Sequence, residues 1–257
     1  MIKLKLITQQ NLPNDNEYLW KYMDIHKFLD LINHKCIIFS RMDQFEDALE
    51  GIPSDTLSRF LKINKDSKLN LAQIIIDHEK LIAKSKPELF GRLDEVLQIQ
   101  TRNYISCWFY EQSESMAMWN LYSNADGIAL KVPFGKLKSN LKLNESSISN
   151  FICGNVNYFN YRKHDPYMNY SSDQELVALK KDISFSHEKE IRFVVKKDNR
   201  NKPNTIIKSE QINLKKLNLK VVCHPKMQEW KKNNIMQILK KEKLASCFLE
   251  SEISLRY

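Results

Sequence analysis

The sequence predicts a single domain over residues 1–257 with an α+β fold, in which a mixed, largely antiparallel sheet carries a helical insertion around residues 55–100. Short β-branched and aromatic segments alternate with helical patterns without a regular strand–helix repeat, which is typical of this class. The chain also has only 5 Gly, and the closest two, Gly127 and Gly135, are eight residues apart. The G-x-G-x-x-G turn of doubly wound nucleotide-binding folds is therefore excluded.

The beginning of the chain predicts a strand over residues 18–22, a short helix capped by Asp24, and a second strand at Cys36–Phe39. Apolar residues then keep helical spacing from 55 to 100, and Pro87 divides this insertion into at least two helices. The remaining predicted elements are strand Tyr104–Phe109, a helix from Ser113 to Leu121, strands Ile128–Val132 and Val156–Phe159, a helix over 173–182, strands Ile191–Lys196 and Lys220–Cys223, a helix over 226–242, and strands Ala245–Leu249 and Ile253–Leu255.

The 5 Cys residues are widely spaced and form no C-x-x-C pair, so neither a disulfide framework nor a thiolate zinc site is predicted. Residues 1–10 alternate apolar and polar side chains, which indicates a strand and not a signal peptide. No apolar run approaches the ~18 residues that cross a membrane. We expect a cytoplasmic protein without a membrane partner.

Positive charge is concentrated in the second half of the chain. Residues 129–257 hold 25 Lys+Arg and 13 Asp+Glu, and the segment 189–243 alone holds 16 basic and 5 acidic residues. Such a surface attracts polyanions, so nucleic acid is the predicted partner of the 189–243 segment. Lys outnumbers Arg 32 to 8. A+T-rich coding also produces an excess of Lys over Arg. The positive charge is therefore explained either by nucleic-acid binding or by coding bias, and both explanations stay open.

Two groups of residues have the composition of a functional site. Glu188 and Glu190 share one face of a strand, where like charges repel unless a cation or ligand lies between them. This pair fits either a surface charge cluster or a site that orients a ribose hydroxyl or stabilises a cation. Trp119 and Tyr122 lie three residues apart on one helix face. They fit either a core stripe or a wall for a flat ring.

The first strand carries Lys21 and Tyr22, and the second carries Ser40 and Arg41. A cation and a hydroxyl from these two strands can share a cleft. The acidic segment Phe45–Glu50 has no His at ligand spacing, and the 6 His residues form no H-x₃-H or H-E-x-x-H pair. No metal site is therefore predicted.

In their order along the chain, these blocks resemble a bacterial family known as domain of unknown function 2971. The resemblance covers nearly the whole chain, with two departures: Glu46 and Ala48 replace the Asn and Pro of the family's turn, and Ser186-His187 stand where an aromatic often precedes the acids. The matching blocks are Leu19–Tyr22, Phe39-Ser40, Phe45–Glu50, Met118–Tyr122 with Gly127, Glu188–Arg192, and Pro225 followed by a helix and Ser251–Arg256.

More distantly, the same layout resembles ADP-ribosyltransferases, including those that act as toxins or modify nucleic acid. This resemblance implies an ADP-ribosyltransferase-like split sheet, NAD as the substrate, and a role as a toxin or phage-defence effector. It implies that Glu190 and Glu188 are catalytic, with Glu190 binding the ribose 2′-OH and stabilising an oxocarbenium-like state. Lys21 stands where that fold has His or Arg. The implied NAD-binding residues are Lys21, Tyr22, Ser40, Arg41, Trp119, Tyr122 and Arg192.

Two other functions remain open at this stage. One is a metal-dependent nuclease that uses Asp47, Glu50, Glu188 and Glu190 beside the basic surface. The other is a non-catalytic nucleic-acid-binding module in which the acids and Arg192 form a structural ion-pair network. The NAD hypothesis, an ADP-ribosyltransferase or NAD glycohydrolase, predicts that Lys21, Ser40, Trp119 and Glu190 line one cleft.

Overall fold

The computed structural model describes residues 2–7, 12–47, 50–51, 98–160, 176–198 and 204–255. In these ranges ten strands form one sheet in the order β1-β6-β9-β4-β2-β5-β11-β12, with β3 pairing β4 and β10, and β7 and β8 pair separately. The strands are β1 Lys5–Leu6, β2 Tyr18–Met23, β3 Ile38–Arg41, β4 Asn103–Tyr110, β5 Ile128–Pro133, β6 Ile148–Asn155, β7 Asn157–Phe159, β8 Lys180–Asp182, β9 Glu190–Lys197, β10 Ile206–Lys208, β11 Lys220–Cys223 and β12 Phe248–Leu249.

In the large sheet, only the β1–β6 and β11–β12 pairs are parallel, so the sheet is mixed and mostly antiparallel. With the helices, this confirms the predicted α+β class. The helices are α1 Ile25–His34, α2 Met116–Tyr122, α3 Phe134–Asn140 and α4 Glu229–Lys241, and the 3₁₀ turns are Met42–Gln44, Val177–Leu179, Ile183–Glu188 and Ala245–Cys247.

Local sequence signals determine where α1 begins and ends. The Asp24 side chain accepts a hydrogen bond from the Lys27 backbone N–H, as predicted for an N-cap. The helix ends at His34, and the following C-cap residue, Lys35, has a φ of 58°, in the left-handed region. The buried residues of α1 then face the main core, together with those of α3 and α4.

Helix α2 lies on the opposite face of the sheet. Its residues Met118 and Trp119 pack with Trp20, Tyr22 and Phe109 in a separate aromatic cluster. The alternation of side chains along β2 explains why this cluster is separate from the main core. Trp20 and Tyr22 point to one face of the sheet, whereas Leu19 and Met23 point to the other and belong to the main core. The two faces of the sheet therefore have different coverings.

The sheet branches at β4. On one edge of β4, Phe109 and Tyr110 pair with β2, whereas Tyr104 and Ile105 pair with β3. In the described part of the chain, residues 106–108 have no strand partner on this edge. The Lys21 ammonium occupies the opening and donates to the Cys107 carbonyl at 2.9 Å and the Ser106 hydroxyl at 3.3 Å.

Several predictions of secondary structure differ from the structure. The strand expected over Ala245–Leu249 begins as the 3₁₀ turn Ala245–Cys247, and its last two residues, Phe248–Leu249, form β12. Of the helix expected over 173–182, residues 176–182 are among those described; they form a 3₁₀ turn at Val177–Leu179 followed by strand β8, because Lys180–Asp182 pair in parallel with β7. Residues 253–255 form no strand. Most of the predicted insertion at 55–100 lies outside the described residues, and only its end, where 98–102 are helical, can be compared.

A carboxylate pair in a buried ionic cluster

The candidate site is a cluster of charged side chains at the beginning of β9. The 3₁₀ turn Ile183–Glu188 ends at Lys189, whose φ of 39° turns the chain sharply into the strand. Glu188 therefore lies in the 3₁₀ turn and Glu190 in β9, so the prediction that both share one face of a strand is wrong. Both carboxylates reach the Lys181 ammonium, and the Lys181–Glu190 distance is 3.1 Å. All three side chains are buried.

Arg192 holds Glu190 by a two-pronged contact. Its Nε donates to Glu190 Oε2 at 2.8 Å, its Nη2 donates to Oε1 at 3.1 Å, and its Nη1 donates to the Ala178 carbonyl at 2.9 Å. Arg192 also forms an ion pair with Glu50. The guanidinium is 0% exposed, so all of these contacts form away from water.

Three carboxylates thus surround the two cations, Lys181 and Arg192. The pKa values of Glu188 and Glu190 are shifted in opposite directions. Burial alone would raise the pKa of Glu190, but Arg192 and hydrogen bonding hold it well below its usual range. Burial and the neighbouring Glu190 raise the pKa of Glu188 to about 7. The pair therefore combines one ionised carboxylate with a second that exchanges a proton near neutral pH.

Sequence reasoning did not find Lys181. The segment around it was predicted as a helix, which hid its alternation in β8. The signal was present, however, because the two lysines at 180 and 181 directly follow four apolar residues, and Glu188 comes seven positions after Lys181. Burial opposes the charge of Lys181, but Glu190 and Glu50 outweigh it and raise the lysine's pKa.

Tyr122 reaches the same cluster from α2. Burial and a hydrogen bond to Glu188 raise the pKa of its hydroxyl well above the usual value. Tyr122 is nevertheless 45% exposed, so solvent reaches this residue beside Glu188. The thiol of Cys107 also faces this cluster, and burial together with Glu190 raises its pKa well above normal.

Tyr22 and Trp119 lie in the aromatic cluster and not at the carboxylates. Their ring centroids are 4.9 Å apart, and the Trp119 ring also contacts His224. Trp119 Nε1 donates to Glu114, and the Tyr22 hydroxyl accepts from the Ser115 backbone N–H. Both side chains are buried, so neither presents a free ring face to a ligand.

The residues from the first two strands are spread around the branch point. Lys21 lies in the opening between β2 and β3, and burial lowers its pKa. Arg41 is held by Asp43 in a two-pronged pair at 2.6 and 2.9 Å. Strand register places Ser40 on the same sheet face as Cys107, through its pairing with Ile105.

A pocket of about 370 Å³ lies at this end of the sheet. The sequence-predicted site residue that lines it is Glu190, whereas Lys21, Ser40 and Trp119 are not part of its wall. The four residues expected in one cleft therefore do not line this pocket together. Its walls are Tyr110, Glu111, Gln112, Asn155, Val156, Tyr158, Lys189, Glu190 and Ile191.

The acidic groups of the nuclease hypothesis have cations among them. Glu50 contacts Arg192 and lies 3.8 Å from Lys181, which also binds Glu188 and Glu190. Within the described ranges, no three His, Cys, Asp or Glu side chains are arranged to hold a metal ion.

None of the helices in those ranges has the length and apolar content needed to cross a bilayer.

Residues 118–193 match the model of a family described as "Protein of unknown function (DUF2971)". The match confirms the resemblance to domain of unknown function 2971 drawn from the sequence. It begins in α2 one residue before Trp119 and ends in β9 one residue after Arg192, so it includes Tyr122 and both carboxylates. Comparison with curated proteins and with solved structures finds no match.

Proposed function

We propose that this protein consumes NAD as an ADP-ribosyltransferase or NAD glycohydrolase, with Glu190 and Glu188 as its catalytic residues. The observation that carries the proposal is the adjacent carboxylate pair with opposite pKa shifts. Environments that separate the pKa values of two neighbouring carboxyl groups are characteristic of acid–base pairs in glycosidic chemistry. The branched sheet and the residue order are consistent with this function.

The proposed reaction breaks the bond between ribose C1′ and the nicotinamide nitrogen. Nicotinamide leaves as a neutral molecule with the bonding electron pair, and the sugar develops positive charge. Glu190 is fixed by Arg192 and remains ionised, so it stabilises that charge without having to reorganise. An acceptor hydroxyl or amine, or water, then attacks C1′, and ionised Glu188 takes its proton.

The dimensions of the pocket define which part of the substrate it suits. Its volume of about 370 Å³ is near the lower end of the roughly 300–1,000 Å³ of small-molecule sites. It suits one ring with its ribose better than a whole dinucleotide. Tyr22, Trp119 and Tyr122 are the aromatic residues implied to bind NAD, and among them Tyr122 is exposed. We therefore assign ring stacking to Tyr122, which lies outside the wall of this pocket.

The test is release of nicotinamide from NAD by purified protein, alone and with DNA, RNA or cell extract. We expect Glu190→Gln to lower the rate by on the order of 100-fold or more, since it removes the fixed charge. Glu145→Gln is the matched control, because Glu145 pairs with Lys197 at the opposite end of β9. An undiminished rate in Glu190→Gln, or no release under any of these conditions, would overturn the proposal.

A second candidate, a non-catalytic nucleic-acid-binding module, is favoured by one observation. Both oxygens of Glu190 are bonded to Arg192 and the side chain is buried, as in a structural ion-pair network. This candidate predicts that Glu190→Gln lowers the free energy of unfolding while nicotinamide release is absent even from the wild type. The same samples therefore separate the two functions.

A further inference from the structure

Trp230 is the most exposed of the large apolar side chains in the described part of the chain. It is 61% exposed on the first turn of α4, whereas the other three tryptophans, Trp20, Trp108 and Trp119, are buried. The opposite face of the helix packs into the main core through Ile235 and Leu239. The exposed ring is therefore not needed to hold α4 on the domain.

The exposed face of α4 that contains Trp230 is otherwise polar and lacks acidic residues. Positions three, four, seven and eleven after Trp230 share its side of a helix. They are Asn233, Asn234, Gln237 and Lys241, and all four are exposed. We call Trp230 and these four residues the α4 stripe. A single aromatic ring among amides and a lysine provides no apolar centre of the kind that protein interfaces have.

Positive charge surrounds the α4 stripe. Lys226 precedes the helix and Lys240 and Lys243 lie near its end, and all three are exposed. Lys231 lies over the Trp230 ring, 5.5 Å from its centroid, and also pairs with Asp126. Glu229 lies on the neighbouring row and forms an ion pair with Lys232 at 3.7 Å.

We propose that the α4 stripe binds single-stranded nucleic acid, with one base stacked on Trp230 and the backbone near Lys226 and Lys241. An aromatic platform beside lysines is the combination that sequence-tolerant single-strand binding uses. Trp230 and Lys241 are eleven residues apart, or about 16 Å along the helix axis, which spans several nucleotides. The site is distinct from the carboxylate cluster and does not depend on the NAD chemistry.

The test uses the full chain and a fluorescein-labelled dT₂₀ oligonucleotide, followed by anisotropy at about 50 mM salt. We expect Trp230→Ala to weaken binding by about 5- to 100-fold, the range of one lost base stack. Trp230→Phe keeps a ring and loses less affinity. Binding also quenches the tryptophan fluorescence of the wild type, because Trp230 is the tryptophan that solvent reaches.

The salt dependence identifies the phosphate contacts. For the Lys226→Ala/Lys241→Ala double variant, the slope of log Kd against log salt falls by about 1.4, or about 0.7 per contact. Lys142→Ala, an exposed lysine between α3 and β6, is the control and leaves the slope unchanged. Absence of dT₂₀ binding, or binding that Trp230→Ala leaves unaltered, would overturn the proposal. Binding of a protein from extract through Trp230, without dT₂₀ binding, would do the same.

Discussion

Replacing Arg192 by Met tests whether the carboxylate cluster depends on its buried guanidinium. The variant leaves Glu190 and Glu50 buried beside each other, with Lys181 as the remaining cation. Removing one partner of a buried ion pair costs about 3–5 kcal/mol, because the other charge stays out of water. For a chain of this size, that cost corresponds to a fall in Tm of about 6–20 °C.

Urea unfolding followed by circular dichroism measures the loss. The matched control is Arg41→Met, which removes a similar two-pronged Arg–carboxylate pair two residues apart, but one that is only partly buried. Pairs in contact with solvent contribute less than fully buried ones, so the control loses less stability than Arg192→Met.

The pH dependence of the free energy of unfolding provides a second test of the Arg192→Met prediction. In the wild type, the lowered pKa of Glu190 stabilises the fold above the ordinary carboxyl pKa, and this contribution is lost as pH falls through the folded-state value. Without Arg192, protonation of Glu190 and Glu50 relieves the buried charge, so the deficit of the variant shrinks in acid. A loss below about 1 kcal/mol, or a deficit that does not change with pH, would refute the reasoning.

Three further predictions concern Glu188, Tyr122 and Trp119. Folding raises the pKa of Glu188 from 4.5 to about 7, so between these pH values the folded state binds more protons than the unfolded state. The free energy of unfolding therefore falls as pH rises through this window, and Glu188→Gln flattens its pH dependence there. Tyr122→Phe removes the hydroxyl next to Glu188 while leaving the ring, so a carboxyl-carbon NMR titration should show a shifted Glu188 pKa in a fully folded variant. Trp119→Ala empties the centre of the α2 aromatic cluster and should lower the free energy of unfolding by about 3–5 kcal/mol, measured by urea titration.

The elements with a local signal were predicted well from the sequence. The Asp24 cap, the strand at Lys220–Cys223 and the strands around Cys107 and Phe193 were expected close to their observed bounds. Each has a cap residue or a continuous β-branched and aromatic run, which depends only on neighbours in the chain. The 173–182 segment failed because its conformation is set by pairing with β7, which periodicity does not encode.

Some residues of the candidate site could likewise be found from the sequence, whereas others could be found only from the structure. Glu188, Glu190 and Arg192 could be singled out because they are close together in the sequence. Lys181 and Glu50 join them only because the fold packs a 3₁₀ turn, β8 and a distant loop against β9. Trp119 shows the opposite case: its helical spacing with Tyr122 was compatible with a ligand wall, but the two side chains have different exposure.

The sequence by itself determined the class of the fold, the exclusion of a glycine-rich nucleotide turn, the family resemblance and the position of the carboxylate pair. These depend on composition, spacing and order along the chain. The tertiary structure decided which carboxylate is ionised and which rings are exposed. Both properties depend on burial and on charges brought from distant segments: Arg192 holds Glu190 ionised, crowding raises the pKa of Glu188 to about 7, and α4 leaves Trp230 facing solvent.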